Sequence, residues 1–447
     1  MASRCLAQVR ANDANFAFSE EELRRQNKSL QGIFCLAIVT TLIILFGLIL
    51  LYSVTADNSG KEYLLLQLRS LVVAIFAGGI CFIMGAKVLK NFAEIGVILS
   101  VILLLLVFIF DPVKGAYRWV KLPGFQFQPS ELAKLALCVY LAKSCSKNMH
   151  IINTLHFKKF NIWDFNKWSP LKQFLTFIFF PIVFIYILFG NFYRWLVPKG
   201  VFSVILGSGI IILMVVAGRD LGTTLLMGAV TVITLLAAGN KFRYTGIYSL
   251  LGLGLGSVYV FLNPERLARI KTFMNPEKSQ LDEGFQLWRS FLALGSGGLY
   301  GLGFTESRMK QRYLPEHHTD FILSIGGEEL GFIGIACVVI GYLIFAYFGL
   351  KISLNARSRY NMLLGFSITM MISMQALINL LVISGGVPTK GMPAPFISYG
   401  GTNLIFCVTG VFILVAIGID TIEVDYHKTM HKNVKKYFYK VARFIKG

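Results

Sequence analysis

Residues 32–54, GIFCLAIVTTLIILFGLILLYSV, contain no charged side chain, and neither do residues 95–110, IGVILSVILLLLVFIF. A helix rising about 1.5 Å per residue needs roughly 20 apolar residues to cross the hydrocarbon core of a bilayer. The first run is long enough and the second nearly so. In hydrocarbon each backbone N–H and C=O must find its partner inside the protein, which a helix provides segment by segment. The chain therefore reads as an all-α polytopic membrane protein. Composition agrees: 55% of its 447 residues are hydrophobic and 15% are charged, against about 25% charged in soluble domains. About thirty largely polar residues precede the first run and no small-residue cleavage site follows it. It is expected to be a retained span rather than a signal peptide.

Ten spans are expected, at about 31–53, 64–86, 91–110, 130–143, 201–218, 221–239, 245–262, 324–350, 361–384 and 402–420. They divide the chain into an N-terminal tail, 1–30, a transmembrane domain, 31–420, and a basic C-terminal tail, 421–447. An even number leaves both tails on one side, and HKTMHKNVKKYFYKVARFIKG marks that side as cytoplasmic by the positive-inside bias. Loops assigned to the same side carry Lys87, Lys90, Lys241, Arg243, Lys351, Arg357 and Arg359. The net charge of +20 is thus explained by topology and anionic lipid, not by nucleic acid. Left outside are 111–129, the turn at 219–220, the long loop 263–323 between spans seven and eight, and 385–401. One run does not fit: FLTFIFFPIVFIYILFG, 174–190, has Lys167 and Lys172 before it, Arg194 and Lys199 after it, and Pro181 near its middle. Positive flanks on both sides favour a re-entrant or interfacial segment. The seven cysteines show no CxxC and no His cluster beside them, so neither a disulfide framework nor a zinc site is indicated.

A charge at the centre of a span costs roughly 2.5–3.5 kcal/mol on insertion scales, so each one present calls for a reason. In QPSELAKLALCVYLA, Glu131 and Lys134 stand three apart on one face near the outer end of the fourth span. They can form a structural ion pair or the polar wall of a substrate cavity. Arg69 and Glu94 can reach an interface by snorkelling. Asp220, in GRDLGTTLL, is placed to cap the helix that begins at Leu221 or Gly222, with or without a further role. The loop 263–323 mixes Arg266, Arg269, Lys271, Arg289, Lys310 and Arg312 with carboxylates. Its GSGGLYGLG stretch lets a ligand approach backbone closely, and loops of such length tend to be functional. Basic groups beside carboxylates suit a hydroxyl nucleophile and a phosphate leaving group.

The segments GAYRWVKLPGFQFQPSELAK, DLGTT, FMNPEKSQLDEGFQ, GSGGLYGLGFTESRMKQRYLPEHHTDFILSIGGEELG and GVPTKGMPAPFISYGGTN follow one another over about residues 31–420. Their order and spacing resemble the SEDS family (shape, elongation, division, sporulation) of bacterial wall-building proteins. The PTKG form at Pro388–Gly391 is similar to the division branch rather than the elongation branch. The resemblance implies a ten-span peptidoglycan glycosyltransferase on the outer face of the cytoplasmic membrane, at the division septum. Its substrate would be lipid II, the undecaprenyl-pyrophosphoryl disaccharide-pentapeptide, polymerised into glycan strands. A class B penicillin-binding protein and other divisome proteins are the implied partners. A lipid II flippase and a non-catalytic divisome scaffold are the alternatives. Carried onto this chain, the resemblance implies a substrate-binding set of Arg118, Glu131, Lys134, Asp220, Lys310, Glu316, His318, Asp320, Lys390, Ser398, Gly400 and Gly401. The acceptor hydroxyl must give its proton to a carboxylate. Arg, Lys or a divalent cation, magnesium or manganese, must stabilise the leaving pyrophosphate; no resident metal site and no other cofactor is implied.

At one point the chain departs from the family pattern. Division members carry an essential aspartate after Asn/Asp-Pro and two further residues, and alignment on Asn275–Pro276 and Gly284–Gln286 puts Ser279 in that place. A serine with no base of its own cannot take the acceptor's proton at neutral pH. Asp282, three residues on, is the expected general base, with Glu277 as the alternative and a solvated, non-catalytic charged loop as the bland reading.

Overall fold

The computed structural model describes residues 20–55, 60–112, 115–122, 125–146, 199–274, 276–279, 284–310, 318–389 and 391–422. Its helices are α1 (Glu20–Thr55), α2 (Gly60–Asn91), α3 (Ala93–Leu106), α4 (Pro129–Ser146), α5 (Lys199–Ala217) and α6 (Leu221–Ala237), followed by α7 (Phe242–Phe261), α8 (Pro264–Met274), α9 (Phe285–Gly297), α10 (Ile322–Asn355), α11 (Arg359–Ile383) and α12 (Gly401–Ile422). Each expected span falls on one of them. Within α1, α2, α7, α10, α11 and α12 lie six stretches long and apolar enough to cross a membrane; apolar stretches in α3, α5 and α6 are shorter. Exposed Phe34, Val72, Phe76 and Ile83 on α1 and α2 form the kind of apolar surface that a multi-pass protein turns to lipid. The run 174–190 lies outside the described residues.

Three features go beyond the expected plan. Helix α1 starts at Glu20, inside the stretch read as a tail. The segment 111–129, expected outside, contains a short antiparallel ribbon, β1 (Val120–Leu122) with β2 (Phe125–Phe127), Val120 opposite Phe127, so the described residues are helical with one small sheet rather than strictly all-α. The long loop 263–323 is partly helical. In α9, Leu287, Ser290, Ala293 and Gly297 are buried, a three-to-four-residue rhythm that the mixed charges around it conceal.

The chain divides into two compact units, one formed by residues 1–91 and 275–447, the other by 92–274. In the first, α10 packs against α1, α9 and α11. Helix α10 is interrupted at Gly331, whose backbone (φ 68°, ψ −168°) no helix allows. The carbonyls of Glu328 and Glu329 are taken up by Leu302 N–H (2.9 Å) and Gly303 N–H (3.1 Å), and Phe332 N–H donates to the Gly298 carbonyl (2.9 Å). Gly301, at φ 85°, passes so close to the Glu329 carbonyl that a Cβ would overlap it.

In the second unit, α4 packs against α3 and α5, and α5 against α6. Leu137, Leu141, Ile211 and Leu226 are fully buried there. Gly207 of α5 leaves room for the Tyr140 ring of α4. The turn from α5 to α6 is held by Tyr117 N–H donating to Gly218 O (3.1 Å) and runs through Arg219 at φ 62°, a left-handed conformation uncommon for a residue with a side chain.

Candidate functional site

Both units hold buried polar groups among the described residues. In the second unit Asp220 caps α6, accepting from Thr223 N–H (3.3 Å) and Thr223 Oγ1 (2.9 Å), which satisfies a free amide of the first turn. Its carboxylate also takes Gln128 Nε2 (3.4 Å) and faces the Arg118 guanidinium at 3.8 Å. One helix over, Glu131 and Lys134 pair at 2.8 Å with both side chains at most 3% exposed. Ser130 and Asp220 line the same crevice as Arg118. Glu94, read as able to reach an interface by snorkelling, pairs with Lys143 of α4.

The left-handed Arg219 turns its carbonyl outward as a common acceptor, reached by Arg118 Nη2 (3.1 Å) and by Arg266 Nη2 (3.3 Å). Its own guanidinium donates to Gly115 O (3.2 Å). Arg266 stacks on the Tyr259 ring at 4.6 Å and bonds its hydroxyl at 3.3 Å. Burial, and after it the neighbouring charges of Arg118, Arg269 and Arg219, hold the Arg266 guanidinium below the ordinary arginine value, with Tyr259 opposing.

The first unit's array is built around the acids of IGGEELG. Glu328, wholly buried, accepts from Ser307 Oγ, Arg308 N–H (3.1 Å) and Met309 N–H (3.3 Å). Glu329 accepts from Ser53 Oγ of α1 at 2.5 Å and lies 3.7 Å from Lys310 Nζ. The Lys310 ammonium also donates to Thr305 O; with 4% of the residue exposed, it points into the protein rather than toward solvent.

The segment after α11 is also internal. Ser398 is buried and its Oγ accepts from Ala394 N–H (2.8 Å). Gln67 of α2 donates to Ser398 O (3.1 Å) and accepts from Gly400 N–H (3.3 Å), while Gly401 lies against Ser70. Tyr342, Gln375 and Asn379 hold the carbonyls of Pro395, Pro393 and Met392. His318 accepts from Tyr399 N–H at its carbonyl (3.0 Å), and its ring lies 5.0 Å from Tyr63 and 5.9 Å from Tyr399. Burial, then Tyr63, raises the Tyr399 phenol. Asp320 contributes its carbonyl to Asn379 Nδ2 (2.9 Å).

The structure thus pairs Arg118 with Asp220 and Glu131 with Lys134 within the second unit, and places Lys310, His318, Asp320, Ser398, Gly400 and Gly401 in the other unit. Glu277 is exposed on a short 3-10 turn, Pro276–Ser279. Asp282, Glu316 and Lys390 lie outside the described residues. Sequence reasoning passed over Gln128, Arg219, Ser53, Ser307, Glu328 and Glu329. For the two glutamates the signal was available, since adjacent acids near the head of an apolar helix are as costly as Glu131.

A family model described as "Cell cycle protein", covering FtsW, RodA and SpoVE, matches residues 30–422. The chain belongs to the SEDS family. Among SEDS relatives, it is 35% identical to a probable peptidoglycan glycosyltransferase FtsW of Geobacter sp. (strain M18), over 83% of this chain and 92% of that one. It is 31% identical to the stage V sporulation protein E of Bacillus subtilis (strain 168), over 85% and 95%. Its fold is similar to that of a chain in a structure concerned with the structural coordination of polymerization and crosslinking by a peptidoglycan synthase complex (TM-score 0.64, 22% identity, 86% of this chain and 97% of that one). It also matches the rod shape determining protein RodA of Thermus thermophilus (TM-score 0.57, 22% identity, 86% and 96%).

Among the described residues no three His, Cys, Asp or Glu side chains converge as a metal-binding group. The cationic groups that these residues gather beside Asp220 are guanidiniums.

Proposed function

We propose that this SEDS protein is a peptidoglycan glycosyltransferase that polymerises lipid II on the outer face of the cytoplasmic membrane during division, alongside a class B penicillin-binding protein and other divisome proteins. The reading includes ten crossings, with both termini cytoplasmic and the protein at the septum. The observation that carries it is the presence of two ion pairs, Arg118 with Asp220 and Glu131 with Lys134, charges kept within or beside apolar helices at a cost that a purely structural bundle has no need to meet. The relatives named as probable peptidoglycan glycosyltransferases and the fold shared with a peptidoglycan synthase chain support it.

In this reading a carboxylate takes the proton of the acceptor sugar hydroxyl as its oxygen attacks the anomeric carbon, and the polyprenyl pyrophosphate leaves. Asp282 is the proposed base, with Glu277 as the alternative. A correctly placed base contributes about 10²–10⁴-fold. The decisive experiment incubates purified protein with labelled lipid II. Glycan strands are the expected product; movement of lipid II between leaflets without strands would instead identify a flippase, and neither result a scaffold. Asp282→Ala should abolish most of the activity, and full activity in that variant removes Asp282 from the mechanism. Ser279→Asp tests whether the family's usual position can be refilled.

A further inference from the structure

Helix α2 is broken near its end, in the first unit. Gly85 has φ 68° and ψ 165°, a backbone that essentially only glycine adopts. The last turn, Ala86–Asn91, therefore leaves the axis of the membrane-length piece, close to where the second span is expected to stop. It carries Lys87 and Lys90 next to exposed Ile83 and Val88, the mixture of a segment lying where lipid tails meet head groups. The charge bias assigns this end of the helices to the cytoplasmic leaflet.

Lys90 is not held by an acid there. Its ammonium lies 5.3 Å from the centre of the Tyr360 ring, at the start of α11, and it makes no ion pair among the described residues. Tyr360 is 4% exposed, yet its hydroxyl has no hydrogen-bond partner among those residues. Attraction between cation and ring explains the ring under the ammonium. It does not explain the hydroxyl, because phenylalanine would offer a ring without the cost of a buried, unanswered O–H. The amino end of α11 adds the positive pole of a 25-residue helix, flanked by exposed Arg357 and Arg359. A carboxylate at this end, Asp420 of α12, is taken by Asn361 Nδ2 at 2.7 Å. Ammonium, phenol hydroxyl and helix amino end together make a donor set for phosphate, and the apolar side chains of the α2 turn put lipid beside it.

We propose that Lys90 and Tyr360, with the amino end of α11, bind the head-group phosphate of an anionic phospholipid. The break at Gly85 sets the depth at which Lys90 meets that phosphate, and the bound lipid ties the end of α2 to the start of α11. The site lies in the first unit, apart from Arg118 and Asp220, and stands whether or not the glycosyltransferase reading holds.

The test titrates the full chain in detergent with phosphatidylglycerol, phosphatidylcholine and inorganic phosphate. Native mass spectrometry reads binding and thermal unfolding reads stability. The wild type should bind phosphatidylglycerol about tenfold more tightly than phosphatidylcholine, the scale of one charge-assisted contact. Tyr360→Phe, which removes only the hydroxyl, should weaken phosphatidylglycerol binding by about tenfold, while its melting without lipid is no lower than that of the wild type. Lys90→Gln should lose as much, and Lys90→Arg should keep most of the affinity. Lys351→Gln is the control, since that ammonium lies over the Tyr347 and Phe348 rings of its own helix; its affinity should match the wild type. Wild-type affinity in Tyr360→Phe overturns the site. So does an equal loss in Lys351→Gln, which would mean diffuse attraction to a basic surface, or displacement of the lipid by inorganic phosphate, which would mean a free anion as the ligand.

Discussion

The two polar arrays are built from the same residue types and end in opposite states. Around Glu328, Glu329 and Lys310 the three charges are enclosed: backbone amides, serine hydroxyls and one ammonium meet the carboxylates, Glu329 Oε1 facing that ammonium at 3.7 Å without a hydrogen bond, while Glu306 and Arg308 alongside are exposed. Around Asp220 the one carboxylate is outnumbered, Arg219 and Arg269 are exposed, and Arg118 keeps a buried N–H without an acceptor among the described residues. The first arrangement determines shape. The second leaves positive charge available to a ligand. Lysine at position 310 and arginine at 118 look equally like substrate-binding cations in the sequence, and their environments separate them.

The sharpest way to break this contrast is Lys310→Met. It leaves Glu329 buried without its counter-charge, and removing one partner of a buried pair costs about 3–5 kcal/mol, so thermal unfolding in detergent should fall steeply. A variant as stable as the wild type would mean that the first array does not hold the fold. Arg118→Ala should show the reverse pattern. Its side chain is 25% exposed, so stability should change little, while kcat/KM for lipid II should fall about 10²-fold, the scale of losing a charge-stabilising donor.

Smaller effects sharpen the picture. Asp220→Ala removes a helix cap and should cost about 1 kcal/mol, whereas Asp220→Asn keeps the cap and should cost no more than a few tenths. If Asn nevertheless lowers polymerisation as far as Ala does, the charge and not the cap is what the reaction uses. The smallest change is expected for Glu94→Gln, whose carboxylate is 55% exposed beside Lys143; a shift within about 1 kcal/mol in the melting experiment would place it with ordinary surface pairs.

Helix positions were legible because apolar runs of span length have few ways to exist, and the Glu131–Lys134 pair and the Asp220 cap followed from spacing alone. The interior of 385–401 was not. Its three prolines and five glycines read equally well as an exposed turn, and only contacts with Gln67, Gln375 and Asn379, distant in sequence, show that its carbonyls are met inside the first unit. Lys310 was misleading for the same reason: a basic residue in a loop looks solvent-facing until the acid that buries it, nineteen residues later, is placed against it. Helix α9 was hidden by the charges on either side of a face that is itself regular. The ribbon at Val120–Phe127 is three residues a side, too short for alternation to stand out.

The break at Gly331 has a consequence for the thickness of the membrane around this protein. An unbroken helix of 34 residues would reach about 51 Å at 1.5 Å per residue, well beyond a hydrocarbon layer of about 30 Å. Straight, it would have to tilt strongly or stretch the bilayer around it. The left-handed glycine ends the membrane-length piece at residue 332 and lets the first turns, with Glu328 and Glu329, leave its axis. Those two acids then need no passage through lipid, and residues 332–355 can match bilayers of different depth without disturbing the hydrogen bonds that bind Leu302 and Gly303 to the short first piece.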